Sequence, residues 1–221
     1  MAENKRETVT TRNTFVYGFL RVFATVVFHT LMPVRFHHRE RLDADPPFIM
    51  IANHQHALDP VVMALGVRHH QVVFLGKKEL GKNAVMRFFM RELHCILVDR
   101  HHTDMEAMRA CMKAIKLGKP LLIFPEGTRH HEGQMEQIEN GTALIALRSN
   151  VPIIPIYIDR KLAFFRITNL YVGEPIRTDD LREKGINAET CEEMNERMRE
   201  TFRRMIRETE AGTETESSKK S

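Results

Sequence analysis

Phe48-Ile49-Met50-Ile51-Ala52 is an unbroken apolar run, and Asn53-His54-Gln55-His56-Ala57-Leu58-Asp59-Pro60 follows it without a spacer. A short continuous apolar run suits a strand buried on both faces, as in parallel sheets. Asp59-Pro60 then offers a helix start, since aspartate is a favoured N-cap and proline fits the first helical position. Strand, polar turn and helix follow in that order. Similar apolar runs at 71–75, 94–98, 120–124, 153–158 and 165–172 alternate with helix candidates at 60–67, 83–93, 103–117 and 142–150. Thr103 with Glu106 three residues on reads as a capping box, and Gly118-Lys119-Pro120 ends that helix. Cys191, Met194, Met198, Phe202 and Met205 recur at helical intervals, which predicts a closing amphipathic helix with a methionine stripe packed in the core. The alternation predicts an α/β domain: a mostly parallel mixed sheet flanked by helices.

A chain of 221 residues with 43% hydrophobic content supports one main domain with short appendages. Residues 1–14 form a polar N-terminus, and 15–36 an apolar helical segment interrupted by Arg21 and His29. No small-residue cleavage site follows it, so it does not read as a signal peptide. Its length approaches a bilayer span, but Arg21 early in the run would cost on the order of 2 kcal/mol to insert. The expectation is a membrane-associating helix lying in the interface; the alternative is a helix docked on the protein's own core. The domain is expected over 37–209. Residues 210–221, small or charged, are expected to be a disordered tail.

The net charge of +4, from 33 basic and 29 acidic residues, is compatible with an anionic membrane or a phosphorylated substrate and too weak to argue for nucleic acid. Cys95, Cys111 and Cys191 are odd in number and contain no CxxC, so neither a disulfide framework nor a thiol zinc site is indicated. A reducing cytosolic compartment is the default.

Two polar clusters follow buried strands. On a regular helix, His54 and Asp59 would point about 140° apart. On a strand-to-helix turn they can meet, the carboxylate accepting from the imidazole and fixing its tautomer, which makes His54 a candidate general base. Phe124-Pro125-Glu126-Gly127-Thr128-Arg129 offers a tight glycine turn with donors, and Arg129 has the fork geometry that phosphate favours. Arg100 stands just after the run 94–98. Three strand ends thus supply polar groups that one crevice could collect.

These residues resemble the glycerolipid acyltransferase family, specifically its 1-acylglycerol-3-phosphate acyltransferases. The family's histidine-four-residues-aspartate block corresponds to 53–59, its arginine block to 93–100, its glutamate-glycine-threonine-arginine block to 124–129 and its proline-rich block to Val151-Pro152-Ile153-Ile154-Pro155. Together they span about the central half of the chain. The resemblance implies direct transfer of a fatty acyl group from a thioester to the sn-2 hydroxyl of 1-acylglycerol-3-phosphate, making phosphatidate. It assigns His54 as the base and Asp59 as its orienter. Arg100, Glu126, Gly127, Thr128 and Arg129 are assigned to the acceptor, with Glu126 either bracing the site or binding hydroxyls. Acyl-coenzyme A and acyl carrier protein are both admissible donors, no further cofactor is implied, and the thioester leaving group is good enough that no metal is invoked. Placement at the cytoplasmic face of the membrane, peripheral or monotopic, goes with the lipid acceptor.

This chain departs from the family at Ile138-Glu139-Asn140-Gly141, where a basic residue is missing before the glycine. Lys77, Lys78, Lys82, Arg87 and Arg91 interleave with Phe88, Phe89 and Met90, which reads as a basic, apolar membrane-facing surface or a solvated helix face. Competing functions are acylation of another glycerol or lysophospholipid acceptor, a metal-dependent hydrolase using His54-x-His56 and Asp59, and a non-enzymatic lipid-binding protein. Chelator sensitivity separates the hydrolase from the transferase.

Overall fold

The computed structural model describes residues 15–98, 104–128 and 135–218. In chain order the elements are α1 (Phe15–Thr30), β1 (Val34–His37), β2 (Ile49–Ala52), α2 (Asp59–Gly66), β3 (Val73–Lys77), α3 (Ala84–Glu92), β4 (Cys95–Val98), α4 (Met105–Lys116), β5 (Leu121–Ile123), α5 (Asn140–Ser149), β6 (Ile153–Ile158), β7 (Thr168–Val172), α6 (Asp179–Glu183) and α7 (Ala188–Ser218). Successive side chains of a strand point to opposite faces. Accordingly Ile49 and Ile51 join the core beneath α4, α5 and α7, while Met50 and Ala52 join the core beneath α1 and α2. All four are fully buried, which is why β2 reads as an unbroken apolar run.

The strands form one sheet in the order β1-β7-β6-β2-β5-β3-β4. Every neighbouring pair is parallel except β6 with β7. The expected α/β class and mostly parallel mixed sheet are therefore what the chain adopts. After β2 the chain steps outward to β3 and β4, returns to β5 on one side of β2, and crosses to β6 on the other. The carboxyl end of β2 lies where the order reverses, the place at which open α/β sheets form a crevice.

Several local expectations are corrected. The segment 15–36 is not one helix, because α1 stops at Thr30 ahead of Pro33 and Val34–His37 pairs with β7. β1 is an edge strand covered only in part, so it carries no apolar run to announce it. α4 starts at Met105, capped by Asp104, whose side chain accepts from Glu106 N and Ala107 N; Thr103 lies outside the described residues. α7 continues to Ser218, through much of the stretch expected to be a disordered tail. The stretch has no proline to stop the helix, which extends from a turn already formed and so needs no new nucleus, despite Gly212 and its threonines and serines. The methionine stripe behaves as expected, with Met194, Met198 and Phe202 fully buried.

On α1, Tyr17, Ala24 and Phe28 are buried along one face, and Arg21 shares it. The Arg21 guanidinium donates to Ala64 O (3.0 Å) and Val67 O (2.7 Å). Arg39 donates to Gly66 O (2.9 Å) and Leu65 O (2.6 Å). Two cations thus cap the terminal carbonyls of α2, which otherwise lack partners and carry the negative end of the helix dipole. Burial, and then Arg68 nearby, push the Arg39 pKa down from its ordinary value. The opposite face of α1 leaves Phe15, Phe19, Val22, Phe23 and Val26 exposed. The helix is therefore docked along one side and uncovered along the other, and among the described residues no helix is long and apolar enough to cross a membrane.

Arg21→Met keeps the side chain's bulk and removes its donors, so it is expected to destabilise the fold by about 2 kcal/mol. Phe19→Ser, on the exposed face, is expected to stay within about 0.5 kcal/mol. Urea unfolding followed by circular dichroism reads both.

Candidate active site

Asp59 opens α2, but it does not cap its own helix: the N-cap is Leu58, which makes no side-chain cap bond. The carboxylate turns back over the preceding turn. Its Oδ2 accepts from Gln55 N (2.8 Å), His56 N (2.7 Å) and the His54 ring at Nδ1 (3.0 Å). A carboxylate only accepts, so Nδ1 is the donor in this contact, and in the neutral tautomer that it selects the lone pair is on Nε2. Asp59 is 1% exposed and His54 15% exposed, which leaves the imidazole edge reachable while its orienting partner is sealed. Oδ1 of Asp59 is buried and has no hydrogen-bond partner among the described residues. His56, three residues before Asp59, accepts from Leu58 N through its own Nδ1 (3.2 Å).

The residues around His54 set its position. Its ring stacks on Phe124, centroids 4.2 Å apart and planes 25° from parallel. Its backbone N–H donates to Glu126 Oε2 (3.1 Å), and Glu126 is buried. The turn after β5 thus holds the turn after β2 through a ring and a carboxylate. On the other side, Asn53 Nδ2 donates to Ile158 O (3.0 Å) and Ile158 N donates to Asn53 Oδ1 (2.8 Å). Gln55 Nε2 donates to the same Ile158 carbonyl (3.0 Å). His54 is therefore bracketed by two buried amides bonded to the end of β6. Sequence reasoning assigned no role to Asn53, Gln55 or Phe124; a polar residue directly after a buried strand, and an aromatic at the end of another, were the available signals.

Gly127 has a φ of +67°, where a side chain would be strained, and an added Cβ would stand 3.2 Å from Glu139 Cγ. The amides of this turn are used internally, Gly127 N donating to Phe124 O (3.1 Å) and Thr128 N to Glu126 O (2.7 Å). Glu139, at the place where the resembled family is basic, lies against Gly127 and its N–H donates to Pro125 O (2.9 Å). Arg100 and Arg129 lie outside the described residues. The turns bearing His54, Asp59, Glu126, Gly127 and Thr128 follow β2 and β5 at the carboxyl end of the sheet.

A cavity of about 890 Å³ adjoins them, lined by Phe124 and Gly127 near the site and by Met108, Cys111, Leu144 and Cys191 deeper between the helices. Burial pushes the Cys95 and Cys111 thiols up to about 12 and raises that of Cys191, so none is a thiolate nucleophile near neutral pH. Among the described residues no group of three or more His, Cys, Asp or Glu is placed to hold a metal ion. The chemistry this arrangement can perform is proton abstraction by an oriented imidazole beside an apolar chamber.

A family model described as Acyltransferase matches residues 33–159, more than half of the chain. A 1-acyl-sn-glycerol-3-phosphate acyltransferase of Bacillus subtilis is 26% identical over 84% of this chain and 96% of its own length. One from Streptococcus pneumoniae is 26% identical over 93% and 78%. The crystal structure of the 1-acyl-sn-glycerophosphate acyltransferase from Thermotoga maritima superposes with a TM-score of 0.67 at 25% identity, covering 88% of this chain and 79% of that one.

Asn53→Ala strips Ile158 of its reciprocal partner and is expected to destabilise by about 2 kcal/mol, with activity lost in step; thermal melting and turnover measured together check it. Iodoacetamide applied to the native protein is expected to leave turnover within about twofold, because all three thiols are pushed toward the protonated form and Cys111 and Cys191 are also buried. Rapid inactivation would show that a cysteine is accessible.

Proposed function

The chain belongs to the acyltransferase family, and from that premise we propose that it transfers a fatty acyl group from a thioester to the sn-2 hydroxyl of 1-acylglycerol-3-phosphate, forming phosphatidate. The observation that carries this reading is the 3.0 Å contact between His54 Nδ1 and Asp59 Oδ2, which leaves Nε2 as a base. A hydroxyl is a weak nucleophile near neutral pH, and a positioned base is worth about 100-fold to 10,000-fold. His54 Nε2 takes the hydroxyl proton as the oxygen attacks the thioester carbonyl. The carbon–sulfur bond then breaks, and the departing thiolate takes the proton back. No acyl-enzyme intermediate is required.

In this reading Asp59 orients and stabilises the imidazolium, and Glu126, bonded to the His54 backbone, braces the turn. Arg100, Thr128 and Arg129 hold the acceptor phosphate, with Gly127 allowing close approach. Fork-like guanidinium donors suit a phosphate. The apolar chamber beside Phe124 suits an alkyl chain. The donor is acyl-coenzyme A or acyl carrier protein, both of which present the same thioester. No further cofactor enters the scheme.

The acceptor resides in a bilayer, which gives the uncovered face of α1 a purpose. We place the protein at the cytoplasmic face of the membrane, peripheral or monotopic, with that face in the lipid interface. α3 supports the same placement: none of its residues is buried, and Val85, Met86, Phe88 and Phe89 are exposed beside Arg87 and Arg91.

Thiol release tests the reading, with acyl-coenzyme A or acyl carrier protein as donor, 1-acylglycerol-3-phosphate, glycerol-3-phosphate or lysophosphatidylcholine as acceptor, and chelator present or absent. Chelator-insensitive release that requires 1-acylglycerol-3-phosphate is expected. His54→Ala is expected to lose at least about 100-fold in kcat while folding normally. Arg129→Ala is expected to raise KM chiefly for phosphorylated acceptors. Full turnover by His54→Ala would sink the mechanism, and release with only a different acceptor would move the substrate assignment.

A further inference from the structure

The connection between β6 and β7 carries an arrangement that the acyl-transfer chemistry does not use. Ala163 and Arg166 pair across an antiparallel bridge, so Phe164 and Phe165 form the two-residue tip of a tight turn. Phe165 has a φ of +56°. Turns with a positive φ at that position ordinarily place glycine or asparagine there, because a side chain pays a steric cost. Here a phenylalanine pays it and then projects into solvent: Phe165 is 78% exposed and Phe164 66% exposed. Neither ring is packed into either core. Ile167 and Leu31 extend the apolar surface, both partly exposed. Lys161 and Arg166 flank the tip and are exposed, while Arg160 pairs with Asp159 (3.1 Å).

The turn is rigidly placed. Phe165 N donates to Leu31 O (2.7 Å) and Thr168 N to Pro33 O (3.0 Å), which fastens the loop to the segment just after α1. At its other end the loop leaves directly from Ile158, the residue to which Asn53 and Gln55 anchor the His54 turn. It therefore stands at the carboxyl end of the sheet, on the same rim as His54.

We propose that Phe164 and Phe165, with Lys161 and Arg166 beside them, form a second membrane anchor that enters an anionic lipid surface and seats the His54 end of the sheet on the bilayer. Adjacent aromatic and cationic side chains match the two layers of such a surface, rings going into the acyl boundary and cations to the phosphate headgroups. The inference rests on the membrane placement argued above. It adds a contact that is distant in sequence from α1 and fixed in orientation relative to the catalytic turn.

Phe165→Gly separates the anchor from any packing role. Glycine relieves the backbone, so the variant is expected to melt at the same or a higher temperature than the parent. Its partition onto phosphatidylglycerol vesicles is expected to fall about tenfold, as for loss of a buried aromatic ring. The chain has no tryptophan, so Phe164→Trp gives a single reporter. Its emission is expected to shift to the blue with phosphatidylglycerol vesicles and much less with pure phosphatidylcholine. Unchanged partition of Phe165→Gly, or an emission maximum that ignores vesicles, overturns the proposal; equal shifts with both lipids overturn the anionic preference. Thiol release is scored separately, so failure of acyl transfer with every acceptor would strike the assigned reaction while the vesicle data still decide the anchor.

Discussion

One carboxylate oxygen organises the site. Oδ2 of Asp59 accepts from two backbone amides and one imidazole, and those three donors belong to consecutive residues, 54 to 56. The carboxylate ties the turn together and orients the ring in the same set of bonds. Local folding therefore performs the alignment that catalysis otherwise has to secure during the reaction. The arrangement resembles an N-cap reversed in direction, the side chain serving residues behind it.

That turn holds its place because the sheet end is closed on both sides. Asn53 and Gln55 fasten it to β6, and Phe124 with Glu126 fasten it to the turn after β5. Both attachments are possible only because β2 lies between β5 and β6, a consequence of the chain reversing its direction of travel across the sheet. Topology thus delivers two loops distant in sequence to one imidazole. The buried amides do work here that apolar residues could not, because the ends of β6 and β2 present backbone groups that need partners.

The central strands were legible because residues buried on both faces leave a continuous apolar record, as in 49–52 and 153–158. The meeting of His54 with Asp59 was legible because five residues cannot bring the two together on a helix. What lay hidden shares a different character. β1 is an edge strand whose pairing is decided by β7, far along the chain. Arg21 looked like a charge stranded in an apolar run, since its partners, the carbonyls of α2, leave no side-chain pattern to read. The inverted bonding of Asp59 was hidden too, because aspartate before proline carries the same signature whether its carboxylate faces forward or back.

The short length of α2 has a mechanical consequence. Eight residues make a strut of about 12 Å. Asp59 is at one end, and the carbonyls gripped by Arg21 and Arg39 are at the other. α1 and the orienting carboxylate are thus attached to opposite ends of one short helix. The seating of the first helix and the placement of the orienting carboxylate therefore share one structural element.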